Sequence, residues 1–341
     1  MRPLSIGIIG AGNIGTAMAA LIAQSGAAVT LVARGERLAR VARDGVTLDD
    51  RGTLIAAHVT AVEALSAPMD AVFLCVKSHD AGRAVAANAA GIGPGTLVIP
   101  MVNGLPFWFG YDTPGAPTPP FTDPDGSLSA HLTPSQIVGA VLMMTVTMTT
   151  SGRAVSSNTP TLHMAPVAGG TDLGALGRLI ACLNAGGIKA DVVEDLRARV
   201  LTKLLANLAT NPLSAVTGDT LAGIGRDDTL RPIALTLATE FRDWAATQGY
   251  TLPDNDWLAA LLLDAGEFET SMLQDARAGR PLELDTICRA PRALAETAGL
   301  AMPTLTRLMD LIDTGPRPLP LTRQARTDAL ATLTASRRHA A

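Results

Sequence analysis

The N-terminal segment constrains the fold more than any other part of the chain. Residues 6–34 read IGIIGAGNIGTAMAALIAQSGAAVTLVAR and place three glycines in a G-x-G-x-x-G frame. The apolar run before the glycines suits a buried strand, the alanine-rich stretch after them suits a helix, and a second strand follows. In such a unit the glycines permit a tight turn, a close approach of the backbone to a ligand, and helix–strand packing. We predict that this turn holds a pyrophosphate at the helix N-terminus, through Gly10, Ala11, Gly12, Asn13, Ile14 and Gly15. A glycine-rich turn in an ordinary α/β domain is the alternative.

The end of the second strand indicates which dinucleotide would be bound. An NAD site usually places an acid there for the ribose 2′-hydroxyl, whereas an NADP site accommodates the 2′-phosphate, often with arginine. Here the strand ends in Ala33 and Arg34, and no carboxylate precedes Glu36. A guanidinium pairs with phosphate through a planar fork of donors. The sequence therefore predicts NADP(H) with Arg34 as a ligand and Arg37 as a helper, against the alternative of solvated surface arginines.

Composition narrows the classes of protein that this chain can belong to. The 341 residues are long for one core, so two domains are expected. The formal net charge of −4 argues against a broad surface for nucleic acid or anionic membrane. The three cysteines lack metal-type spacing, so neither a metal site nor a disulfide framework is predicted. No uninterrupted apolar run has membrane-spanning length, and no signal-peptide layout is present. We expect a cytoplasmic protein with a small-molecule partner, and leave a homodimer open.

The first part of the chain alternates strands and helices. Residues 45–62 are expected to form a strand pair around Asp49–Gly52. Two buried strands follow, over 70–77 and 95–104, and they end in Lys77 and in Asn103–Gly104. Parallel sheets bind ligands at the carboxyl ends of their strands, so Lys77 and Asn103 are candidates for a site. Together these patterns predict an α/β domain over residues 1–195.

Two further segments of that domain are less regular. Residues 105–136 are rich in proline, glycine and aspartate and lack periodicity, which predicts a long loop. Strand-like runs follow between 137 and 167, and then a helix and a closing strand over 188–195.

Beyond Asp195 helical patterns dominate. They cover 196–211, 228–248, 256–279 and 283–298, the last broken by Pro291. We predict an all-helical second domain over residues 196–341, with a final helix in the tail.

One helix of that domain carries a polar stripe. Lys203, Asn207 and Asn211 are spaced i, i+4, i+8. Each step of four residues turns a helix by only about 40°, so the three side chains share one face. A lysine and two amides on an otherwise apolar helix are costly to bury without partners. The alternative is that Lys203 extends to solvent and that Asn211, before Pro212, ends the helix.

Several motifs occur in the order found in the ketopantoate reductase (2-dehydropantoate 2-reductase) family. They are GAGNIG, VTLVAR ending in Arg34, Val76–Lys77, Asn103–Gly104, K-x3-N-x3-NPLSA from Lys203, and TSMLQD…GRPLELD from Thr270. The chain resembles this family over nearly its whole length, and its longer-chain branch in particular. The resemblance implies a Rossmann-type domain followed by a helical domain, with substrate between them. It also implies NADPH-dependent reduction of a 2-keto acid, foremost 2-dehydropantoate to (R)-pantoate as in pantothenate biosynthesis.

The resemblance assigns roles to individual residues. Lys203 matches the general acid, and Glu283 matches the carboxylate near that lysine and the ribose. The remaining matches are Asn103, Asn207, Asn211 and Ser271 for the substrate, and Lys77 and Asn103 for the nicotinamide end of the cofactor. The chemistry agrees with these roles. Hydride addition to a ketone leaves negative charge on its oxygen, which an ammonium group stabilises and then protonates.

Departures from the family leave the substrate open. The 105–136 segment is longer than in short members, Arg289 stands where glycine is frequent, and an additional asparagine after Pro212 is missing. A related 2-keto acid oxidoreductase and an NADPH sensor without activity are the alternatives. A β-hydroxyacid dehydrogenase would also pair a lysine with an asparagine four residues on. An opine dehydrogenase would need a catalytic His–Asp pair, and no histidine stands in a convincing motif.

Overall fold

The computed structural model describes residues 2–111 and 119–315, together with Asp328. The described residues divide into two units: the first comprises 2–102, 106–111 and 123–196, and the second 103–105, 119–122 and 197–315. The strands are β1 Ser5–Ile9, β2 Ala28–Val32, β3 Val46–Asp50, β4 Thr53–Ala57, β5 Thr60–Val62, β6 Ala71–Leu74, β7 Leu97–Pro100, β8 Val138–Met143, β9 Val146–Met148, β10 Ala154–Ser156, β11 Thr161–Pro166 and β12 Lys189–Val192.

The main sheet of the first unit is parallel throughout, with strand order β5-β2-β1-β6-β7. Its central strand, Ser5–Ile9, is buried over its last four residues, as expected of a strand covered on both faces. The chain leaves β1 toward β2 and β5, then returns to the other side of β1 with β6 and β7. The strand order thus reverses beside β1, where α/β sheets place their ligands. The predicted Rossmann-type α/β domain is confirmed.

The first helix is enclosed by two sheets. The helices of this unit are α1 Asn13–Gln24, α2 Gly35–Asp44, α3 Ala81–Ala87, α4 Ser127–His131 and α5 Leu173–Ala185. Strands β3, β4, β9 and β10 form a second sheet in the order β4-β3-β10-β9, and all four contact α1. Residues Gly15–Ile22 are consequently buried around the whole circumference of α1, which explains why its sequence is apolar on every side.

Two of the predicted strand segments have the expected form. Within the segment 45–62, residues 46–57 form the antiparallel hairpin β3–β4, where the Asp49 carboxylate accepts a hydrogen bond from the Gly52 N–H at 2.9 Å. Its last residues, Thr60–Val62, instead belong to the parallel main sheet as β5. The closing strand is β12, which pairs with β11 in a third sheet, β12-β11-β8. A parallel bridge between Val98 and Ile137 connects this sheet to β7.

The prediction of an irregular loop over 105–136 was wrong in part. Residues 127–131 form the short helix α4, and 134–136 form a 3₁₀ turn. The Asp123 carboxylate accepts the N–H groups of Leu128 and Ser129 at 2.9 Å, while Thr133 and Gln136 form a capping box. Side-chain capping of this kind stabilises short helices that lack an apolar periodicity. Residues 112–118 of the predicted loop lie outside the described residues.

The second unit is helical, as predicted. Its helices are α6 Leu196–Thr217, α7 Leu221–Arg226, α8 Leu230–Thr247, α9 Asn255–Asp264, α10 Ser271–Arg277, α11 Ala290–Thr297 and α12 Pro303–Thr314. No helix in the described ranges has the length and apolar character required to cross a membrane. The helix predicted in the tail lies outside the described residues.

Two helix boundaries differ from the sequence prediction. The single helix expected over 256–279 is two helices, because Gly266 has a φ of +65° after α9 and Thr270 caps the N-terminus of α10. Pro291 was expected to break a helix. It instead occupies the first turn of α11, where its missing N–H costs nothing, and a π-helical turn over Asp285–Arg289 precedes it.

Candidate active site

The glycine turn after β1 has two crowded glycines and one open one. Gly10 has a φ of +109°, and a Cβ there would lie 2.7 Å from the carbonyl oxygen of Cys75. A Cβ on Gly15 would lie 1.8 Å from the carbonyl oxygen of Gly10, whereas one on Gly12 would meet nothing within 4 Å. Gly10 and Gly15 are therefore required by the packing of the protein backbone, whether or not a ligand is bound. The open space at Gly12 is what a bound pyrophosphate would need.

The first turn of α1 offers backbone N–H groups and no opposing charge. The N-cap is Gly12, which has no side chain to bond the first N–H groups of the helix, and the first turn contains no acidic residue. The Asn13 side chain donates to the carbonyl of Val146 at 3.0 Å, so it is committed to the second sheet. Ala11 and Ile14 are half-buried. These four residues thus fit an anion through their main chain, where the helix dipole favours negative charge.

The two arginines that follow β2, Arg34 and Arg37, differ in the contacts of their side chains. Arg34 is exposed and is the N-cap residue of α2. Arg37 instead donates from Nε to the Ala11 carbonyl at 3.2 Å, from Nη2 to the Thr16 hydroxyl at 2.7 Å, and from Nη1 to the Gly152 carbonyl at 3.1 Å. The geometry does not favour Arg37 as a helper for a 2′-phosphate, because three of its donors are engaged inside the protein.

Lys77 follows the buried strand β6 at the carboxyl edge of the main sheet. It is half-buried and precedes a 3₁₀ turn over Ser78–Asp80. The residues just before it, Cys75 and Val76, are those that crowd Gly10. Lys77 therefore directly follows the two residues that pack against the glycine turn.

The polar stripe of the second unit lies on one continuous helix. α6 carries Lys203, Asn207 and Asn211 and continues through Pro212, so Asn211 does not end it. Lys203 and Asn207 are half-buried and Asn211 is 4% exposed. The hydroxyl of Ser214 donates to the carbonyl of Asn211 at 3.0 Å, a local side-chain contact within this part of α6.

The electrostatics of Lys203 set it apart from an ordinary surface lysine. Burial lowers the pKa of Lys203 from 10.5 to about 8, and the negative charge of Glu283 opposes that shift. Glu283 is itself only 6% exposed. A lysine in this state exchanges its proton near neutral pH, as a general acid must.

Glu283 stands directly before an unusual helical turn. Leu284 begins the helical run, and residues Asp285–Arg289 form the π-helical turn, a geometry that occurs frequently at functional sites. The Thr286 hydroxyl within it donates to the carbonyl of Asn103 at 2.9 Å, and the Leu105 N–H donates to the Thr286 carbonyl at 2.8 Å. Asn103, predicted as the end of a strand, is thus attached to the turn that follows Glu283.

Gly104 makes this attachment sterically feasible. Its φ is +85°, and a Cβ there would lie 2.5 Å from the carbonyl carbon and oxygen of Thr286. A side chain at this position would push the 103–105 segment away from the π-helical turn.

Ser271 and Arg289 belong to the supports of the same unit. Ser271 is the exposed first residue of α10, and the preceding Thr270 caps that helix and shares a hydrogen bond with Ser214 of α6. Arg289 binds Asp285 at 2.7 Å and Asp313 of α12 at 2.7 Å. Arg289 thus fastens the π-helical turn to α12.

The predicted residues divide between the two units. The first unit contains Gly10–Gly15, Arg34 and Lys77, and the second contains Asn103, Lys203, Asn207, Asn211, Ser271 and Glu283. Sequence reasoning missed Thr286 and the inward direction of Arg37. The only sequence signal for the first was the glycine after Asn103, which indicates a close backbone approach but not its partner.

Family models identify both halves of the chain. The model described as "Ketopantoate reductase PanE/ApbA" matches residues 6–107, and that described as "Ketopantoate reductase PanE/ApbA C terminal" matches residues 195–315. The chain belongs to the ketopantoate reductase family. A 2-dehydropantoate 2-reductase of Mesorhizobium japonicum is 32% identical over 324 residues, which cover 91% of this chain and 97% of that protein. One of Archaeoglobus fulgidus is 24% identical, over 92% of this chain and 98% of its own.

Solved structures place the ketopantoate reductase fold over nearly the whole chain. A provisionally named ketopantoate reductase from Ralstonia solanacearum MolK2 matches with a TM-score of 0.84 at 28% identity, covering 96% of this chain and 99% of its own. A D-mandelate dehydrogenase with NADH and anilino(oxo)acetate matches with a TM-score of 0.77 at 20% identity, over 96% of this chain and 99% of its own. The second likeness concerns the fold alone.

Proposed function

We propose that this protein reduces a 2-keto acid with NADPH, and that 2-dehydropantoate, giving (R)-pantoate for pantothenate biosynthesis, is its substrate. The observation that carries the proposal is the half-buried Lys203 beside Glu283, with a pKa of about 8. Family membership supplies the reaction class, and the lysine supplies a proton donor of suitable acidity. Residues 1–195 would bind the dinucleotide and residues 196–341 would carry the acid.

The chain's own residues account for the proton side of the reaction. The dinucleotide supplies the hydride that reduces the ketone carbon. Lys203, as the ammonium form, stabilises the negative charge that develops on the ketone oxygen and gives it a proton. Glu283 keeps a larger share of Lys203 protonated, because its charge raises the lysine's pKa against burial.

The amides and the hydroxyl are suited to orienting a small acid. Asn207 and Asn211 lie on the face of α6 that carries Lys203, and Ser271 begins α10. Amide N–H and hydroxyl groups hydrogen-bond a carboxylate and a substrate hydroxyl, and fixed contacts of this kind lower the entropic cost of the reaction. We assign Asn103 to the nicotinamide end and to the substrate.

The dinucleotide is assigned to the glycine turn. The uncrowded Gly12 and the acid-free first turn of α1 fit a pyrophosphate, and Lys77 stands at the same sheet edge. Arg34, exposed at the end of β2, supports NADPH over NADH because a guanidinium pairs with the 2′-phosphate.

A different 2-keto acid is the second candidate. The segment after Pro212 offers Asp219 and Thr220 where the family has an additional asparagine, so the substrate contacts need not be those of pantoate. A protein named D-mandelate dehydrogenase shares the fold over 96% of this chain, so the scaffold also serves an enzyme named for another 2-hydroxy acid.

NADPH oxidation with a panel of 2-keto acids tests the proposal. Ketopantoate should give the highest kcat/KM against branched and linear 2-keto acids of similar size. A faster aromatic or linear substrate would favour the second candidate. Tight NADPH binding without turnover of any keto acid would contradict both candidate reactions and would favour an NADPH sensor without activity. Gel filtration with light scattering would show whether a homodimer forms.

A further inference from the structure

Arg37 connects three separate parts of the first unit. Its guanidinium bonds the Ala11 carbonyl inside the glycine turn, the Thr16 hydroxyl in the first turns of α1, and the Gly152 carbonyl between β9 and β10. Thr16 is fully buried. The arginine thus spans from the candidate pyrophosphate turn to a hairpin more than a hundred residues away in sequence.

The hairpin of β9 and β10 approaches the turn at a second point. Asn13, the first residue of α1, donates to the carbonyl of Val146 at the start of β9. At the other end of the hairpin, a Cβ on Gly152 would lie 2.7 Å from Nη1 of both Arg37 and Arg40, so a side chain there would displace these guanidinium groups. The hairpin therefore holds the glycine turn from two sides.

Arg37 has charge but no acidic partner within the described ranges. Its three hydrogen bonds are all to neutral oxygens, and burial together with the charge of Arg40 lowers its pKa. A guanidinium remains protonated at neutral pH in proteins. An uncompensated positive charge behind the turn favours an anion in front of it.

We propose that Arg37 is a positioning residue for the dinucleotide, one that braces the glycine turn against the β9–β10 hairpin and contributes equally to NADPH and NADH. This inference rests on the proposed function, since it concerns the same binding turn. Both dinucleotides contain the pyrophosphate and only NADPH has the 2′-phosphate. A residue that shapes the pyrophosphate turn must therefore affect both ligands to the same extent, whereas a 2′-phosphate ligand affects one.

Calorimetric titration of the full chain with NADPH and with NADH, in the absence of keto acid, measures this directly. Arg37→Met should raise both dissociation constants by about tenfold, the size expected when a charged hydrogen-bonding group is lost. The ratio of the two constants should not change. Arg37→Lys keeps the charge without the three-way fork, and should give an intermediate loss for both ligands.

A remote variant separates the brace from any direct contact. Gly152→Ala should displace the two guanidinium ends and weaken both dinucleotides, although Gly152 lies on the hairpin and not in the turn. Gly52→Ala is the matched control: it lies in the β3–β4 hairpin of the same sheet and has a φ of +87° against +83° for Gly152. A Cβ on Gly52 meets nothing within 4 Å, so this variant should strain its turn without changing either dissociation constant.

The outcomes distinguish the two proposals. A loss confined to NADPH in Arg37→Met would make Arg37 a 2′-phosphate ligand and overturn the brace. Unchanged binding of both dinucleotides in Arg37→Met or in Gly152→Ala would also overturn it. If Arg37→Met does not fold, the dissociation constants of both dinucleotides for Gly152→Ala provide the test of the brace. A wild-type chain that binds neither dinucleotide would contradict the proposed function, and the brace would fall with it.

Discussion

The hydroxyl of Thr286 donates to the carbonyl of Asn103 at 2.9 Å, across 183 positions of sequence. The Leu105 N–H returns a hydrogen bond to the Thr286 carbonyl at 2.8 Å. Thr286 lies three residues after Glu283, so one turn of helix fixes the backbone on both sides of Gly104, directly after the proposed nicotinamide contact Asn103. Asn103 and Glu283 are in this way positioned by a single local structure.

Replacing Thr286 by valine should weaken this arrangement while keeping the shape of the side chain. The lost hydrogen bond is worth about 1 kcal/mol, so kcat for keto-acid reduction should fall about fivefold. Thr286→Ser keeps the hydroxyl and should restore most of the rate. Steady-state kinetics of both variants provide the measurement, and equal rates in valine and serine variants would show that the hydroxyl has no positioning role.

A methyl group at Gly104 should disturb the same contact more severely. Gly104→Ala introduces a Cβ 2.5 Å from the backbone of Thr286, at a φ of +85°. We expect kcat/KM to fall by more than in Thr286→Val, since the 103–105 segment must shift. Gly249→Ala is the control, because its φ is +81° and a Cβ there meets nothing within 4 Å. If both alanine variants lose only thermal stability, the close approach has no role in activity.

Some elements of the fold and the candidate site could be predicted from the sequence and others could not. Periodicity and turn residues were enough for β1, α1 and β2, and helical spacing was enough to place Lys203, Asn207 and Asn211 on one face, because these depend on local contacts. The continuation of α6 through Pro212 was not foreseen. A proline normally argues for a helix end, because it lacks the N–H that would bond the carbonyl four residues earlier, yet α6 continues to Thr217.

The long-range contacts around the candidate site could not be predicted from the sequence. The docking of Asn103 on Thr286 and the brace from Arg37 to Gly152 join segments more than a hundred residues apart. No local pattern specifies such partners, and Arg37 resembled a phosphate ligand because only its place after β2 was visible. Glu283 and Ser271 were ordinary residues by themselves, and only the family resemblance singled them out.

Removing the charge of Glu283 should move the pH profile of the enzyme. Reduction requires protonated Lys203, so its rate should fall as the pH rises through about 8, while oxidation of the hydroxy acid should rise over the same range. Glu283 raises the pKa of Lys203, so Glu283→Gln should shift both midpoints to lower pH. Rate–pH profiles in both directions measure the shift, and a midpoint that stays or moves upward would contradict the pairing.

Arg34 should determine the choice between the two dinucleotides. Arg34→Ala removes a charged contact worth about 1.5–3 kcal/mol, so NADPH affinity should fall by about 10- to 150-fold. NADH affinity should change little, because NADH has no 2′-phosphate. Titration of both ligands provides the test, with Arg43→Ala, a replacement on the last turn of α2, as the matched control. A wild-type preference for NADH would refute the role of Arg34.

The general acid is the central claim, and single-turnover kinetics of Lys203→Ala test it most directly. NADPH oxidation on mixing with ketopantoate should be about 10²- to 10⁴-fold slower than in the wild type, the usual contribution of one acid–base group. The dissociation constant of NADPH should be unchanged, because the glycine turn and Arg34 belong to the first unit. A single-turnover rate near that of the wild type, with NADPH bound normally, would contradict the assignment of Lys203 as the proton donor.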